Sequence, residues 1–339
     1  MKVFIFGAGA SKGSQDFKTP ALTAPLIDEL FSKNYEQFAR EVGFSKSDLD
    51  FCREKVTEIQ SLEKWLSSRW TDLNNGGEAK KFFAERAFFG RLTFYIWKVL
   101  LAVSEQYNEY GAYRKLLNKL KSDSEEFGLI NFNYDLLLDY AAKDVYGITL
   151  TSLENYLDFD YIKPHGSVNW FLDRRKSDPE LGPETNMDTR VRFDQASRMM
   201  FGDENLSFTG TTIIDPNHRD LYNVDSIIHR FRGQYFYPLV LLPLAVKSYD
   251  YIEGFSNAVI DKGKDLLSKA DEIFLIGYRA QDEVIGTLLE NVRTNTSLVV
   301  ISPNNPEEIS KRVLSLKSNL NSKGTIKSGF MEFVDGYKS

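Results

Sequence analysis

The feature that most constrains this chain is its start. Val3-Phe4-Ile5-Phe6 is an unbroken apolar run that leads directly into Gly7-Ala8-Gly9-Ala10-Ser11. A strand with apolar residues on both faces must be covered on both faces, as in the interior of a parallel sheet, and two glycines one residue apart permit a tight turn at its end. Similar runs recur at Leu129-Ile130-Asn131-Phe132, Leu239-Val240-Leu241-Leu242, Ile273-Phe274-Leu275-Ile276 and Leu298-Val299-Val300-Ile301. The last two flank a helix-length segment, Asp282 to Val292, which is a βαβ pattern. The expected fold class is therefore α/β, a Rossmann-like doubly wound parallel sheet.

Two stretches interrupt that pattern. From about Ser45 to Lys121 the apolar spacing becomes helical, with Leu92, Tyr95 or Ile96, Val99 and Val103 three to four residues apart and a break at Asn74-Asn75-Gly76-Gly77. Its aromatic run from Phe82 to Trp97 reads as core. Between Phe171 and Tyr235 the sequence is polar and irregular, with Pro179, Pro183 and Pro216 and an alternating patch around Thr211-Thr212-Ile213-Ile214. We expect one domain over residues 1–339, carrying a helical insertion at 45–121 and an irregular, partly β appendage at 171–235.

Composition narrows the function. Cys52 is the single cysteine, which removes intramolecular disulfides and cysteine-rich zinc sites, and His165, His218 and His229 lack the close spacing of a metal site. No metal is expected. A net charge of −6 gives no electrostatic footprint for nucleic acid. The longest apolar stretch, Phe88 to Val103, is broken by Arg91 and Lys98 and falls short of the roughly 20 residues a membrane span needs. Met1 to Gly9 lacks the layout of a secretory leader, so a cytoplasmic protein without membrane attachment is expected.

Four segments carry chemistry. A glycine turn after a first strand brings backbone N–H groups toward a pyrophosphate, although Lys12 stands where the dehydrogenase fingerprint has its third glycine. Ile130-Asn131-Phe132-Asn133-Tyr134-Asp135 closes a strand and opens a helix, so Asn133 and Asp135 are either helix caps or crevice residues. His165, between Pro164 and Gly166, is either a loop residue or a positioned acid or base. Gly277-Tyr278-Arg279-Ala280-Gln281-Asp282 and Ser302-Pro303-Asn304 follow later strands and suit an adenosine, while Gly277 also suits a plain turn and Asp282 a plain cap.

Taken together, the order and chemistry of these segments resemble the sirtuin-like family over most of the chain outside 45–121 and 171–235. Gly7 to Ser11 is similar to the family's N-terminal turn, Asn133-Tyr134-Asp135 to its Asn-x-Asp segment, and His165-Gly166 to its catalytic His-Gly. Pro238 to Lys247 and Gly277-Tyr278 resemble later strands of the short prokaryotic branch, whose members commonly degrade NAD in antiphage defence. Two departures stand out: the four-cysteine zinc module of protein-deacylating sirtuins is missing, and Lys12-Gly13-Ser14-Gln15 replaces the usual continuation of the turn.

The resemblance implies an NAD glycohydrolase, with NAD as substrate and nicotinamide and ADP-ribose as products. Asn133 would orient water or ribose, Asp135 would hold the nicotinamide carboxamide, and His165 would act as base. Gly7, Ala8, Gly9, Ser11, Gly277, Tyr278 and Asn304 would cradle the dinucleotide. It further implies a triggered defence effector, a homo-oligomer, and an activating partner such as a defence-system ATPase, with the helical block as contact surface. The same pocket allows NAD-dependent deacylation or ADP-ribosyl transfer, and a non-enzymatic NAD or ADP-ribose sensor is the remaining alternative.

Overall fold

The computed structural model describes residues 1–15, 22–59, 65–69, 71, 79–176, 206–218, 221, 234–240 and 253–337. In chain order its strands are β1 (Lys2–Phe6), β2 (Phe127–Asn131), β3 (Tyr161–Ile162), β4 (Gly166–Lys176), β5 (Leu206–Ile213), β6 (Gln234–Val240), β7 (Glu272–Ile276), β8 (Ser297–Ile301) and β9 (Asn321–Ile326). They form two sheets, and the chain divides into two compact units, one of Met1–Leu26, Val103–Gly166 and Ser248–Ser339, the other of Ile27–Ala102 and Ser167–Lys247.

The first unit holds a six-stranded sheet in the order β3-β2-β1-β7-β8-β9, with every neighbouring pair parallel. Counted within this sheet alone, the order is that of a dinucleotide-binding doubly wound fold. The α/β expectation therefore holds. Parallel neighbours need crossovers, and helices at Ala112–Ser122, Leu137–Tyr146, Glu253–Lys269, Glu283–Leu289 and Pro306–Leu316 supply them.

β1 is central, and its side chains alternate between two cores. Val3 and Ile5 join an aliphatic layer with Ile130, Leu266, Leu275, Ile285, Leu288 and Val300. Phe4 and Phe6 face aromatic rings instead: Phe4 stacks on Phe274 with centroids 4.9 Å apart, and Phe6 lies 5.2 Å from Tyr113 and 5.6 Å from Phe330. The winding reverses between β1 and β7, so their C-terminal ends form the switch point, where doubly wound folds characteristically open a crevice for ligands.

The second unit pairs helices with the sheet β5-β4-β6. Tyr95, on the helix Ala79–Ser104, stacks between Phe31 and Phe44, and its hydroxyl donates to the Leu30 carbonyl at 2.7 Å. Trp97 donates its indole N–H to the Val168 carbonyl at 2.8 Å. From Phe88 to Trp97 the aromatic run is thus core, and the stretch Ala87–Ser104, apolar enough by length and composition to cross a membrane, is 89% buried.

One expected strand belongs elsewhere. The run beginning at Leu239 ends β6 in the three-stranded sheet and takes no part in the parallel one, while Leu241 to Lys247 fall outside the described residues. An apolar run reports that a strand is buried and says nothing about which sheet buries it.

The turns at the crevice are packed backbone to backbone. Gly7 N–H donates to the Ile276 carbonyl at 3.0 Å and Gly9 N–H to the Gly277 carbonyl at 2.9 Å. Gly277 has φ +60°, and a Cβ there would sit 2.2 Å from the Ala10 nitrogen. Gly286, by contrast, sits in a helix with nothing within 4 Å of an added Cβ. We expect Gly277→Ala to cost about 3 kcal/mol or more through strain and overlap, a fall in Tm of roughly 4 °C or more. Gly286→Ala should instead gain about 0.5–1 kcal/mol. Thermal melting of the two variants checks both signs.

Candidate active site

The site grows from the ends of β1 and β2. Asn133 is 5% exposed, and its side-chain nitrogen donates to the Gly7 carbonyl (2.9 Å), to Ser11 Oγ (2.9 Å) and toward the Tyr113 hydroxyl (3.2 Å). Its backbone N–H is held by Asn131 Oδ1 at 3.1 Å. Two amide hydrogens shared among three acceptors fix the carboxamide plane, and no donor among the described residues engages Asn133 Oδ1. The side chain does not cap the following helix, whose N-cap is Leu136.

Ser11 is the hub. Its hydroxyl lies 3.0 Å from the Tyr113 hydroxyl, receives Asn133 and hydrogen-bonds the Asp135 carboxyl. Tyr113 in turn packs against Phe6 and Phe330, which ties the polar cluster to the aromatic core. Burial, and next the neighbouring Asp135 carboxylate, push the Tyr113 phenol well above its usual range.

Asp135 is fully buried. Its Oδ1 also accepts the Leu137 N–H at 3.2 Å, so it helps start the helix Leu137–Tyr146 while facing Ser11. Burial raises its carboxyl above the ordinary range, against the opposing pull of Lys163. Lys163 donates to the Asp135 carbonyl at 2.7 Å and to Asp139 Oδ2 at 3.0 Å. Asp139 also accepts from the Tyr156 hydroxyl (2.6 Å) and the Tyr161 hydroxyl (2.9 Å). A buried ion pair so supported is costly to break, about 3–5 kcal/mol when one partner is removed.

His165 arrives from the end of β3. Its ring lies 4.8 Å from Phe132 and 5.9 Å from Tyr134, the two neighbours of Asn133 in sequence, and its Nε2 is 3.2 Å from Asp282 Oδ2. Asp282 caps the helix Glu283–Leu289, accepting from the Val284 and Ile285 N–H groups through Oδ1. The Tyr278 hydroxyl donates to Oδ2 at 2.6 Å, and the Tyr278 ring stacks on Phe132 at 4.3 Å.

The structure thus joins Gly7, Gly9, Ser11, Asn133, Asp135 and Gly277 by direct contacts, and reaches His165 and Tyr278 through Phe132. Ala8 is exposed beside them. Asn304 is exposed, and its hydrogen bonds stay in its own loop, with Ser302. Sequence reasoning missed Tyr113, Asp139 and Lys163, and read Asp282 as part of an adenosine-contacting segment or as a plain cap, without its link to His165. The available signal was a lone carboxylate in Leu136-Leu137-Leu138-Asp139-Tyr140 and a lone cation after Tyr161-Ile162, two charges in apolar settings that need each other. Among the described residues, no three His, Cys, Asp or Glu side chains gather where they would hold a metal ion.

No protein-family model matches the chain, and no curated protein matches it. Among solved structures it is similar to a Sir2 homologue, a mutant in complex with 2′-O-acetyl ADP ribose, at 13% identity and a TM-score of 0.43, over 99% of this chain and 89% of that one. It is similar also to a sirtuin from work on the structural basis of sirtuin substrate affinity, at 12% identity and a TM-score of 0.40, over 99% of this chain and 92% of that one.

The raised Asp135 carboxyl predicts a pH-dependent stability. An acid whose folded pKa lies above its unfolded value contributes stability that is complete below the unfolded value, 3.8, and is lost as pH rises through the folded one. At pH 7 the ionised carboxylate is therefore a cost. Asp135→Asn, which keeps an acceptor for Ser11 and Leu137, should be more stable than the parent at pH 7, with the advantage fading below pH 3.8. Urea unfolding at neutral and acid pH measures it, and an advantage independent of pH would sink the assignment.

Proposed function

We propose that this protein hydrolyses NAD to nicotinamide and ADP-ribose. The observation that carries the reading is the fixed Asn133 carboxamide, whose nitrogen is spent on Gly7, Ser11 and Tyr113 while Oδ1 takes no donor among the described residues, at the switch point beside which dinucleotides bind in folds of this strand order.

The chemistry asks little of the protein. Nicotinamide is already a pyridinium in NAD, so the bond from ribose C1′ to the ring nitrogen breaks without an acid, and its electron pair leaves with the neutral base. The residues' tasks are to orient water, to stabilise a developing oxocarbenium and to take up one proton. Asn133 Oδ1 accepts a hydrogen bond from water, the new bond forms between C1′ and the water oxygen, and His165 accepts the released proton. Asp135 supports the nicotinamide end of the crevice. Gly7, Ala8, Gly9, Ser11, Gly277, Tyr278 and Asn304 belong to the dinucleotide's path. Because the Gly9 N–H already serves the Gly277 carbonyl, the two glycines act first by closing the strand ends together.

Hydrolysis is favoured over peptide deacylation because the solitary Cys52 cannot build a four-cysteine zinc module, and over sensing because binding alone requires neither a histidine nor a buried carboxyl with a perturbed pKa. The resemblance to the short prokaryotic branch extends the reading to a defence effector that is quiet until a partner or self-assembly switches it on.

Asn133→Ala and His165→Ala should each lower NAD turnover by roughly two or more orders of magnitude while the fold persists, and the double variant should be little worse, since both serve one step. Turnover with product identification, alongside thermal melting, is the measurement. Early melting with turnover in proportion to folded protein would return both residues to structural roles.

A further inference from the structure

Asp282 has a second carboxylate oxygen that helix capping does not use. Oδ1 takes the Val284 and Ile285 N–H groups, as an N-cap does, while Oδ2 takes the Tyr278 hydroxyl at 2.6 Å and faces His165 Nε2 at 3.2 Å. Both side chains of the His165 pair are more than nine-tenths buried, and the imidazole is held edge-on by Phe132 and tilted against Tyr134. A cap alone would be served equally by Ser, Thr or Asn.

We infer that Asp282 is a positioning residue for His165, and that it selects the imidazole tautomer. An ionised carboxylate only accepts, so a hydrogen bond across the 3.2 Å contact places the proton of neutral His165 on Nε2 and its lone pair on Nδ1. Nδ1 is then the atom that takes up the proton, and the imidazolium so formed keeps Nε2 against a negative charge. Tyr278 sets the carboxylate's second oxygen, since its hydroxyl donates to Oδ2 and its ring is braced on Phe132. The same Phe132 braces His165, so the hydroxyl donor and the base share a single aromatic support. The catalytic consequence rests on the hydrolase reading above; the tautomer does not.

The test is Asp282→Asn. Asparagine caps the helix as well as aspartate does, but presents an amide whose N–H₂ faces the imidazole, which favours the opposite tautomer with the proton on Nδ1. Nitrogen-15 NMR of histidine-labelled protein, which has only three histidines, with His165→Gln for assignment, is recorded over a pH range that reaches the neutral ring. The parent should show Nε2 protonated and Nδ1 bare, Asp282→Asn should reverse this, and NAD turnover should fall by roughly two to four orders of magnitude without loss of the thermal transition. Should Asp282→Asn not fold, Asp282→Ser keeps a capping oxygen and should release the tautomer to a mixture. A parent ring protonated on Nδ1, or a tautomer indifferent to the substitution, overturns the inference whether or not NAD is consumed. The reversed tautomer in a protein that leaves NAD intact upholds it, and the hydrolase reading fails instead.

Discussion

Everything at this site depends on how closely two backbone turns approach. The segment Gly7–Ala10 lies directly on Gly277–Tyr278, near enough that any Cβ at Gly7, Gly9 or Gly277 would meet backbone atoms at 3.0 Å or less. The contact fixes the C-terminal ends of β1 and β7 relative to each other, and the hydrogen bond from Gly9 to Gly277 makes it directional. Asn133 then locks the end of β2 to the same turn through the Gly7 carbonyl. Three adjacent strands therefore end in one rigid rim, which is what a reaction needing positioned water and a positioned base requires.

A polar cluster this deep survives only because nearly every member is satisfied. Ser11, Tyr113, Asn133 and Asp135 bond among themselves, and Asp139 collects Tyr156, Tyr161 and Lys163. Asp135 is the member that gives ground, since burial outweighs the help of Lys163 and Ser11 and its charged form is disfavoured. A stability optimum would place a neutral group there. Retaining an acid is the kind of local cost that functional sites carry and the surrounding core offsets.

Much of the parallel sheet was legible because β1, β2, β7 and β8 are covered on both faces and so read as apolar runs. β3 is apolar but only two residues long, too short a run to read as a strand, and β9 reads Asn-Ser-Lys-Gly-Thr-Ile, an edge strand with water on its outer side and no hydrophobic signal. The Leu239 run shows the opposite error, a strong signal attached to the wrong sheet. At the site, Asn133 and Asp135 stood out by sitting just beyond a strand end, and His165 by its place between a proline and a glycine. Tyr113 did not, because it belongs to an amphipathic helix whose other buried residues are Ala112, Leu116, Leu117 and Leu120, and only the fold brings its hydroxyl to Ser11, 102 residues away in sequence.

The two readings of a capping residue need not compete. Asp135 starts one helix through the Leu137 N–H and faces Ser11, while Asp282 starts another through Val284 and Ile285 and faces His165. In a doubly wound sheet the helix that follows a strand begins at the crevice, so the residue best placed to satisfy its first N–H groups also stands at the rim. A carboxylate has two oxygens and can serve both, whereas a serine or threonine hydroxyl offers a single oxygen. Choosing Asp at such a position therefore has a physical meaning that helix stability alone does not supply. It is sharpest at Asp282, where one oxygen is committed to the helix and the other to Tyr278 and His165.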